Sequence, residues 1–240
     1  MTNEEFIFEI EKLGIEVNNE KLDKLEKFYN LLIEWNNKIN LTRITSKQDV
    51  YLKHFYDSLT LIKVIDLNKI STLCDVGTGA GFPGIVLKIF YPNLNITLVD
   101  SLLKRVKYLN IVIKELDLEN IVAIHSRAED IKEKYDIVTA RAVANIEKLL
   151  TYTMHLLKKD GKLIAMKGNI EDEMTKEVQE KISKKSDFIV FSPQTKELLY
   201  ELLSEFLLPF MLIYTLLTPP VILWRNKKIR VKDGKIHYEI

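Results

Sequence analysis

Asp75-Val76-Gly77-Thr78-Gly79-Ala80-Gly81-Phe82-Pro83-Gly84 holds half of the chain's eight glycines. The apolar run Ile70 to Cys74 before it reads as a buried strand. Ile85, Val86, Leu87 and Ile89 after it open an apolar helix. The next apolar run ends on Asp100. Strand, glycine turn, helix, strand and acidic residue is the order of a nucleoside-binding α/β domain, where the acid accepts from ribose hydroxyls. Glycine suits such a turn because, without a Cβ, the backbone bends sharply and a ligand can lie against it. The spacing G-x-G-x-G followed by Phe82-Pro83 is not the dinucleotide fingerprint G-x-G-x-x-G. Pro83 fits a first helical turn, where its missing N–H is no loss, and it leaves fewer N–H groups for a pyrophosphate. The pattern points to a nucleoside without phosphates, S-adenosylmethionine, with Gly77, Gly79, Gly81 and Asp100 as contacts. The plain alternative is a tight strand-to-helix turn with no ligand.

Outward from this turn, the apolar pattern predicts strands Thr72–Val76, Ile96–Asp100, Ile121–His125, Asp136–Ala140, Lys162–Met166 and Phe188–Phe191. Helices over Pro83–Tyr91, Leu102–Leu116 and Ile146–Leu157 lie between them, with turns at Tyr91-Pro92-Asn93 and Lys159-Asp160-Gly161. Strands alternating with helices imply a Rossmann-like α/β fold with a mainly parallel sheet covered on both faces. Upstream, the pattern is helical. Thr2 or Asn3 caps a first helix carrying Phe6, Ile10 and Leu13, which Gly14 ends. Asn19 to about Asn36 forms a second, with Leu22, Leu25, Phe28, Tyr29, Leu32 and Ile33 inward. Ser46-Lys47-Gln48-Asp49 opens a third through about Ile65 as a capping box. The chain divides into a helical extension over 1–65, a core over 66–195 and a C-terminal segment over 196–240 that completes the sheet.

Ligands of an open α/β sheet bind at the carboxyl ends of its strands. After the third strand, Ser126-Arg127-Ala128-Glu129-Asp130 either lines an adenine edge or starts a capped helix with its acids favoured by the dipole. After the fourth, Arg141 stands among small residues and suits a carboxylate, a phosphate or a stacked base; a structural ion pair is the other reading. Lys167, after the fifth, either aims into the cleft or reaches solvent. Lys104 and Arg105 line a solvated face. In the helical front, His54 and Asp57 share a helix face and read as a hydrogen-bonded structural pair.

Composition narrows the class. Of 240 residues, 47% are hydrophobic and 29% charged, so a core can be buried. The net charge of +1 gives no global electrostatic case for nucleic acid and leaves only a local basic face open. The single cysteine, Cys74, excludes an intramolecular disulfide, fits a reducing compartment and reads as a buried structural thiol. The four histidines lack metal-ligand spacing, so no metal is expected. The N-terminus is acidic and amphipathic, unlike a signal peptide, and a cytoplasmic location is expected.

The ordered motifs DVGTGAGFPG (Asp75–Gly84), DSLLKR (Asp100–Arg105), RAED (Arg127–Asp130), TARAVA (Thr139–Ala144) and MKG (Met166–Gly168) resemble the bacterial small-subunit ribosomal RNA methyltransferase G family, formerly glucose-inhibited division protein B. Trp35-Asn36, Asn40-Leu41-Thr42 and His54 with Asp57-Ser58 are similar to its N-terminal signature. The resemblance covers roughly residues 1–180. It implies a class I methyltransferase that carries a methyl group from S-adenosylmethionine to N7 of one guanine in the decoding region of 16S ribosomal RNA. It also implies a monomer acting on 16S rRNA or the small ribosomal subunit. Carried over by position, Gly77, Phe82, Ala128, Glu129 and Arg141 hold the cofactor. Lys167, Arg127, His54 and Asp57 are candidates for orienting substrate, and no essential acid–base residue is expected.

The resemblance stops before the C-terminus. From Phe206 to Trp224 there is no charged residue, and Arg225, Lys227, Lys228 and Arg230 follow, an arrangement similar to a membrane span with a basic flank. Pro209, Pro219 and Pro220 argue against a continuous helix and favour two buried strands, Phe210–Leu217 and Val221–Arg225. Two alternatives therefore stand beside the family reading: a class I methyltransferase on another substrate, and a non-catalytic cofactor-binding protein whose C-terminal segment associates with a membrane or a partner.

Overall fold

The computed structural model describes residues 1–141, 145–167, 188–191, 228–232 and 235–239. Six strands, β1 (Thr72–Val76), β2 (Asn95–Asp100), β3 (Ile121–His125), β4 (Tyr135–Arg141), β5 (Leu157–Met166) and β6 (Phe188–Phe191), form one sheet in the order β3-β2-β1-β4-β5-β6. Every neighbouring pair is parallel. Chain order reverses between β1 and β4, and the crevice at such a reversal is where ligands bind.

Alternation along the strands sorts side chains to two faces. Leu73, Ile96, Leu98, Ile137, Ile164 and Met166 join one apolar cluster, whereas Cys74, Val76, Val99, Val138, Leu163 and Ala165 join another. Among the described residues, α5 (Gly84–Phe90), α6 (Leu103–Glu115) and the helical front pack on the first face, and α7 (Ile146–Thr153) on the second. Cys74 is fully buried, and burial pushes its thiol well up, which suits a packing role.

The front begins with α1 (Asn3–Lys12), whose capping box pairs Thr2 with Glu5 and whose end is followed by Gly14 at φ +76°. Helix α2 (Asn19–Ile39) runs beyond the expected Asn36, because Asn40 supplies the left-handed residue, at φ +53°, that closes it. The third expected helix is not continuous to Ile65. It runs as α3 (Lys47–Val50), a π-helical turn (Tyr51–Tyr56), α4 (Asp57–Leu59) and a 3-10 turn (Thr60–Lys63). Phe6, Phe28 and Phe55 of this front share one core with Phe82, Ile85 and Leu98, so front and sheet pack as one body.

Two local expectations change. Lys159-Asp160-Gly161 is not a turn before a strand but lies inside β5, where Tyr135 pairs with Leu157 and Ile137 with Lys162. The added residues bulge, with Asp160 at φ +65°. A Cβ on Gly161 would stand 2.9 Å from the carbonyl of Tyr135 and 3.0 Å from that of Asp136. Downstream, the strands proposed for Phe210–Leu217 and Val221–Arg225 and the uncharged stretch 206–224 lie outside the described residues. An unforeseen antiparallel pair, β7 (Lys228–Lys232) and β8 (Lys235–Glu239), is described instead. Among the described residues, no helix is long and apolar enough to cross a membrane.

Candidate active site

The carboxyl ends of β1, β2, β3, β4 and β5 align in register: Val76 opposite Val99 and Ala140, Asp100 opposite His125, and Arg141 opposite Met166. This edge gathers the glycine turn, Asp100, the segment after His125, Arg141 and Lys167.

The turn is built on a residue outside the expected set. Asp75 is fully buried and accepts from Thr78 Oγ1 (2.7 Å), the Gly84 N–H (3.0 Å) and Thr139 Oγ1 (3.1 Å). Burial raises its carboxyl to about 6, against the pull of these three donors. The Thr78 N–H donates to the Val99 carbonyl and ties the turn to β2. The glycines then divide by role. Gly77 and Gly79, at φ +64° and +60°, provide the bends, and the direction of a Cβ on Gly79 is open, with its nearest neighbour at 3.8 Å. Gly81 and Gly84 are set by packing: a Cβ would meet Ile85 at 2.6 Å or Leu98 at 2.2 Å. The Phe82–Pro83 peptide is cis.

Asp100 is 2% exposed. Its carboxylate accepts from the Gly79 N–H (3.0 Å), the Leu102 N–H (2.9 Å) and Arg105 (3.2 Å). It therefore pins the glycine turn to the start of α6, and Arg105 is its ion-pair partner rather than part of a solvated face. A carboxylate has about four acceptor positions, so these three bonds leave one for a ligand hydroxyl. The Ser126 N–H donates to the Asp100 carbonyl, which brings the next segment alongside. There Ala128 is buried and opens a 3-10 turn (Ala128–Asp130), while Arg127 and Glu129 are exposed. The segment is neither a full helix nor an N-cap: no side chain caps it.

The second half of the site joins β4 to the helical front. Arg141 donates from Nη2 to the Lys53 carbonyl and lies 3.5 Å from Asp57 Oδ2. The expected hydrogen bond between His54 and Asp57 is not formed: Asp57 faces Arg141, while His54 bonds to Thr42 and the Lys53 carbonyl. The Lys53 carbonyl can only accept, which assigns the hydrogen of the neutral ring to Nδ1 and makes Nε2 the acceptor of the Thr42 hydroxyl at 3.0 Å; Thr42 Oγ1 in turn accepts from the Ile44 N–H. Nδ1–H then donates to the Lys53 carbonyl at 3.1 Å. That tautomer makes the 3.4 Å approach of Arg141 to Nδ1 a contact rather than a second bond. The ring stacks on Phe82, with centroids 4.4 Å apart and planes 22° apart. Phe82, a candidate cofactor contact, is thus wedged between His54 and Phe28. Lys167 is half-buried one residue beyond β5. Among the described residues, no cluster of three or more acidic, histidine or cysteine side chains could hold a metal.

Burial, and next the Arg141 charge, lower His54 to about 3, whereas burial raises Asp57 to about 7 against Arg141 and Lys53. The native state therefore binds fewer protons at His54 than the unfolded chain. Its stabilising share is present above the unfolded value, near 6.5, and is lost as pH falls toward 3. Asp57 acts oppositely: its share is present below 3.8 and is lost as pH rises through about 7. Replacing His54 by Phe keeps a stacking ring and removes the first effect. Between pH 7.5 and 4.5 the variant is expected to gain about 2–3 kcal/mol relative to the parent. Urea titrations at the two pH values measure this, and a pH-independent difference between the proteins would refute it.

Three buried side-chain atoms have no hydrogen-bond partner among the described residues: Tyr108 Oη in α6 and, at this site, Arg141 Nη1 and Asp57 Oδ1. An unmatched donor and acceptor at the sheet's ligand edge, beside a left-handed glycine turn, fit a polar cofactor such as S-adenosylmethionine. Gly77, Gly79 and Phe82 lie in the turn after β1, Asp100 ends β2, Ala128 follows β3 and Arg141 ends β4.

The chain is similar to known proteins. The family described as rRNA small subunit methyltransferase G matches residues 21–200. The chain is 46% identical over 188 residues to the ribosomal RNA small subunit methyltransferase G of Bacillus velezensis, covering 76% of this chain and 79% of that protein. The protein of the same name from Desulforamulus reducens is 53% identical over 163 residues, covering 65% of this chain and 68% of its own length. Among solved structures, StiE O-MT shares the fold at a TM-score of 0.50, with 18% identity over 64% of this chain and 58% of that one. The fold is that of class I S-adenosylmethionine-dependent methyltransferases, and the chain belongs to the rRNA small subunit methyltransferase G family.

Proposed function

We propose that this protein transfers the methyl group of S-adenosylmethionine to N7 of one guanine in the decoding region of 16S ribosomal RNA, acting as a cytoplasmic monomer. The observation that carries the reading is the convergence of the Gly77–Gly79 turn, Asp100, Ala128, Phe82 and Arg141 on one edge of the sheet, in a chain of this family. Glu129, exposed beside Ala128, and Gly81, beneath the turn, complete the cofactor set. The bound cofactor supplies an electrophilic methyl on a sulfonium.

Guanine N7 carries an in-plane lone pair and no proton, so attack needs no general base and the protein contributes placement. The site is suited to placement, because its buried ionisable side chains Asp75, Asp57, His54 and Asp100 hold backbone, hydroxyl or guanidinium groups. The O6 atom beside N7 on the Hoogsteen edge accepts from Arg or Lys, a role that suits Lys167 at the end of β5. Arg127 is exposed, and its charge suits RNA phosphate.

The test is methyl transfer from labelled S-adenosylmethionine to small ribosomal subunits lacking the modification and to their extracted RNA, followed by mapping. Label at one guanine N7 of 16S rRNA is expected. Cofactor binding without transfer to either substrate would sink the substrate assignment, and transfer to another molecule would establish a different methyltransferase.

A further inference from the structure

The helical front meets Arg141 through the π-helical turn Tyr51–Tyr56 and the Asp57 that follows it. π-Turns are uncommon and cluster at functional sites. Here the turn presents the Lys53 carbonyl and the Asp57 carboxylate to the same Arg141 guanidinium. His54 fixes the turn from the other side, through Thr42 Oγ1, the Lys53 carbonyl and the Phe82 ring.

We propose that Asp57 and the Lys53 carbonyl are positioning groups for Arg141, holding Nη2 so that Nη1 faces a ligand acceptor. This deepens the functional reading above and rests on it, since it takes Arg141 as a ligand-binding residue. A purely structural role accounts poorly for the arrangement. A buried Arg–Asp pair adds little net stability over apolar packing, and this one leaves Nη1 and Asp57 Oδ1 unmatched among the described residues. An unmatched buried polar atom carries a desolvation penalty that a ligand can remove. The guanidinium donates through Nη2, while Nη1 is buried with its hydrogen-bonding capacity unused among the described residues, which leaves one arm of the planar fork for an acceptor that displaces what covers it. Two acceptors have suitable chemistry: the carboxylate on the amino-acid end of the cofactor, and guanine O6.

The experiment is calorimetry of S-adenosylhomocysteine and of methylthioadenosine, which lacks the amino-acid end, on the full chain. It is combined with the KM for ribosomal subunits. The proteins are the parent, Arg141→Ala, Asp57→Asn and the double variant, with melting curves for each. Arg141→Ala is expected to weaken one ligand by about 10- to 100-fold, the scale of a charge-assisted hydrogen bond. Asp57→Asn is expected to weaken the same ligand by about tenfold, and the double variant is expected to equal Arg141→Ala alone, because a positioning residue has nothing left to position. Loss for S-adenosylhomocysteine but not methylthioadenosine identifies the carboxylate, whereas a raised KM for RNA with both nucleosides unaffected identifies O6. Additive losses, or an Asp57→Asn that lowers only the melting temperature, overturn the positioning role. If Arg141→Ala changes no ligand, the assignment of Arg141 itself fails and the positioning role falls with it. Should Asp57→Asn not fold, Asp57→Glu, which keeps the charge on a longer arm, replaces it with the same coupling expected.

Discussion

Asp75→Ala is expected to destabilise the fold by about 3–5 kcal/mol and to reduce cofactor affinity by at least about tenfold. The carboxylate holds three separate pieces of chain: the glycine turn through Thr78, the start of α5 through Gly84 and strand β4 through Thr139. Alanine leaves two hydroxyls and an amide buried without an acceptor, each costing about 1–3 kcal/mol. It also leaves a cavity between β1 and α5. Affinity falls as well, because Thr78 and Gly84 flank the residues that face the ligand. Asp75→Asn is expected to be milder, since an amide fills the same space and still accepts through its oxygen. Urea unfolding together with S-adenosylhomocysteine calorimetry tests this, and a loss below about 1 kcal/mol would show that the carboxylate does not organise the turn.

Phe28→Ala has a comparable expected cost, about 3–5 kcal/mol, for a different reason. The ring is fully buried, stacks with Phe55 at 5.6 Å and lies 5.3 Å from Phe82. It is therefore the middle layer between α2, the π-turn and the glycine turn. Removing it opens a cavity shared by all three, and Phe82 and His54 lose their backing, so cofactor affinity is expected to fall with stability. One core also implies one transition. In a Trp224→Phe background, Trp35 fluorescence, sensitive to α2 packing through its contact with Tyr108, and far-UV dichroism should share one urea midpoint within each protein, parent and variant alike. A separate, earlier loss of the Trp35 signal would show that the front unfolds independently and that its packing on the sheet is weak.

Much of the fold is legible in the sequence because its signals are local. The buried strands are short apolar runs and the glycine turn has fixed spacing, and β1, β3 and β6 begin and end where the apolar pattern does. Helix ends are less legible: Asn36 is polar but helical, and it is Asn40 that adopts the left-handed conformation. The bulge at Asp160-Gly161 resembles a turn because its composition is that of a turn, and only pairing with β4 makes it strand. The β7–β8 pair has a readable signal in Asp233-Gly234, a dipeptide favoured between hairpin strands, which the basic character of the segment obscures. In the candidate site, spacing singles out the glycines, Asp100 and Arg141 as candidates, and the sheet register brings them to one edge. It does not show that Asp75 organises the turn, because an acid ending an apolar strand looks the same whether it faces a ligand or its own backbone. Nor does it join Arg141 to Asp57, 84 residues earlier in the chain, since that contact exists only once the front has packed on the sheet.

The burial of Cys74 has a practical consequence. The chain's only thiol is sealed within β1 between packed layers, with its ionisation suppressed, so the folded protein is effectively thiol-free toward maleimide dyes. A cysteine introduced at an exposed position near the ligand edge, such as Leu103, would then be the single point of attachment for a fluorophore. Such a probe needs no background substitution in the core to follow the approach of RNA in real time, and labelling of Cys74 becomes a built-in count of unfolded molecules.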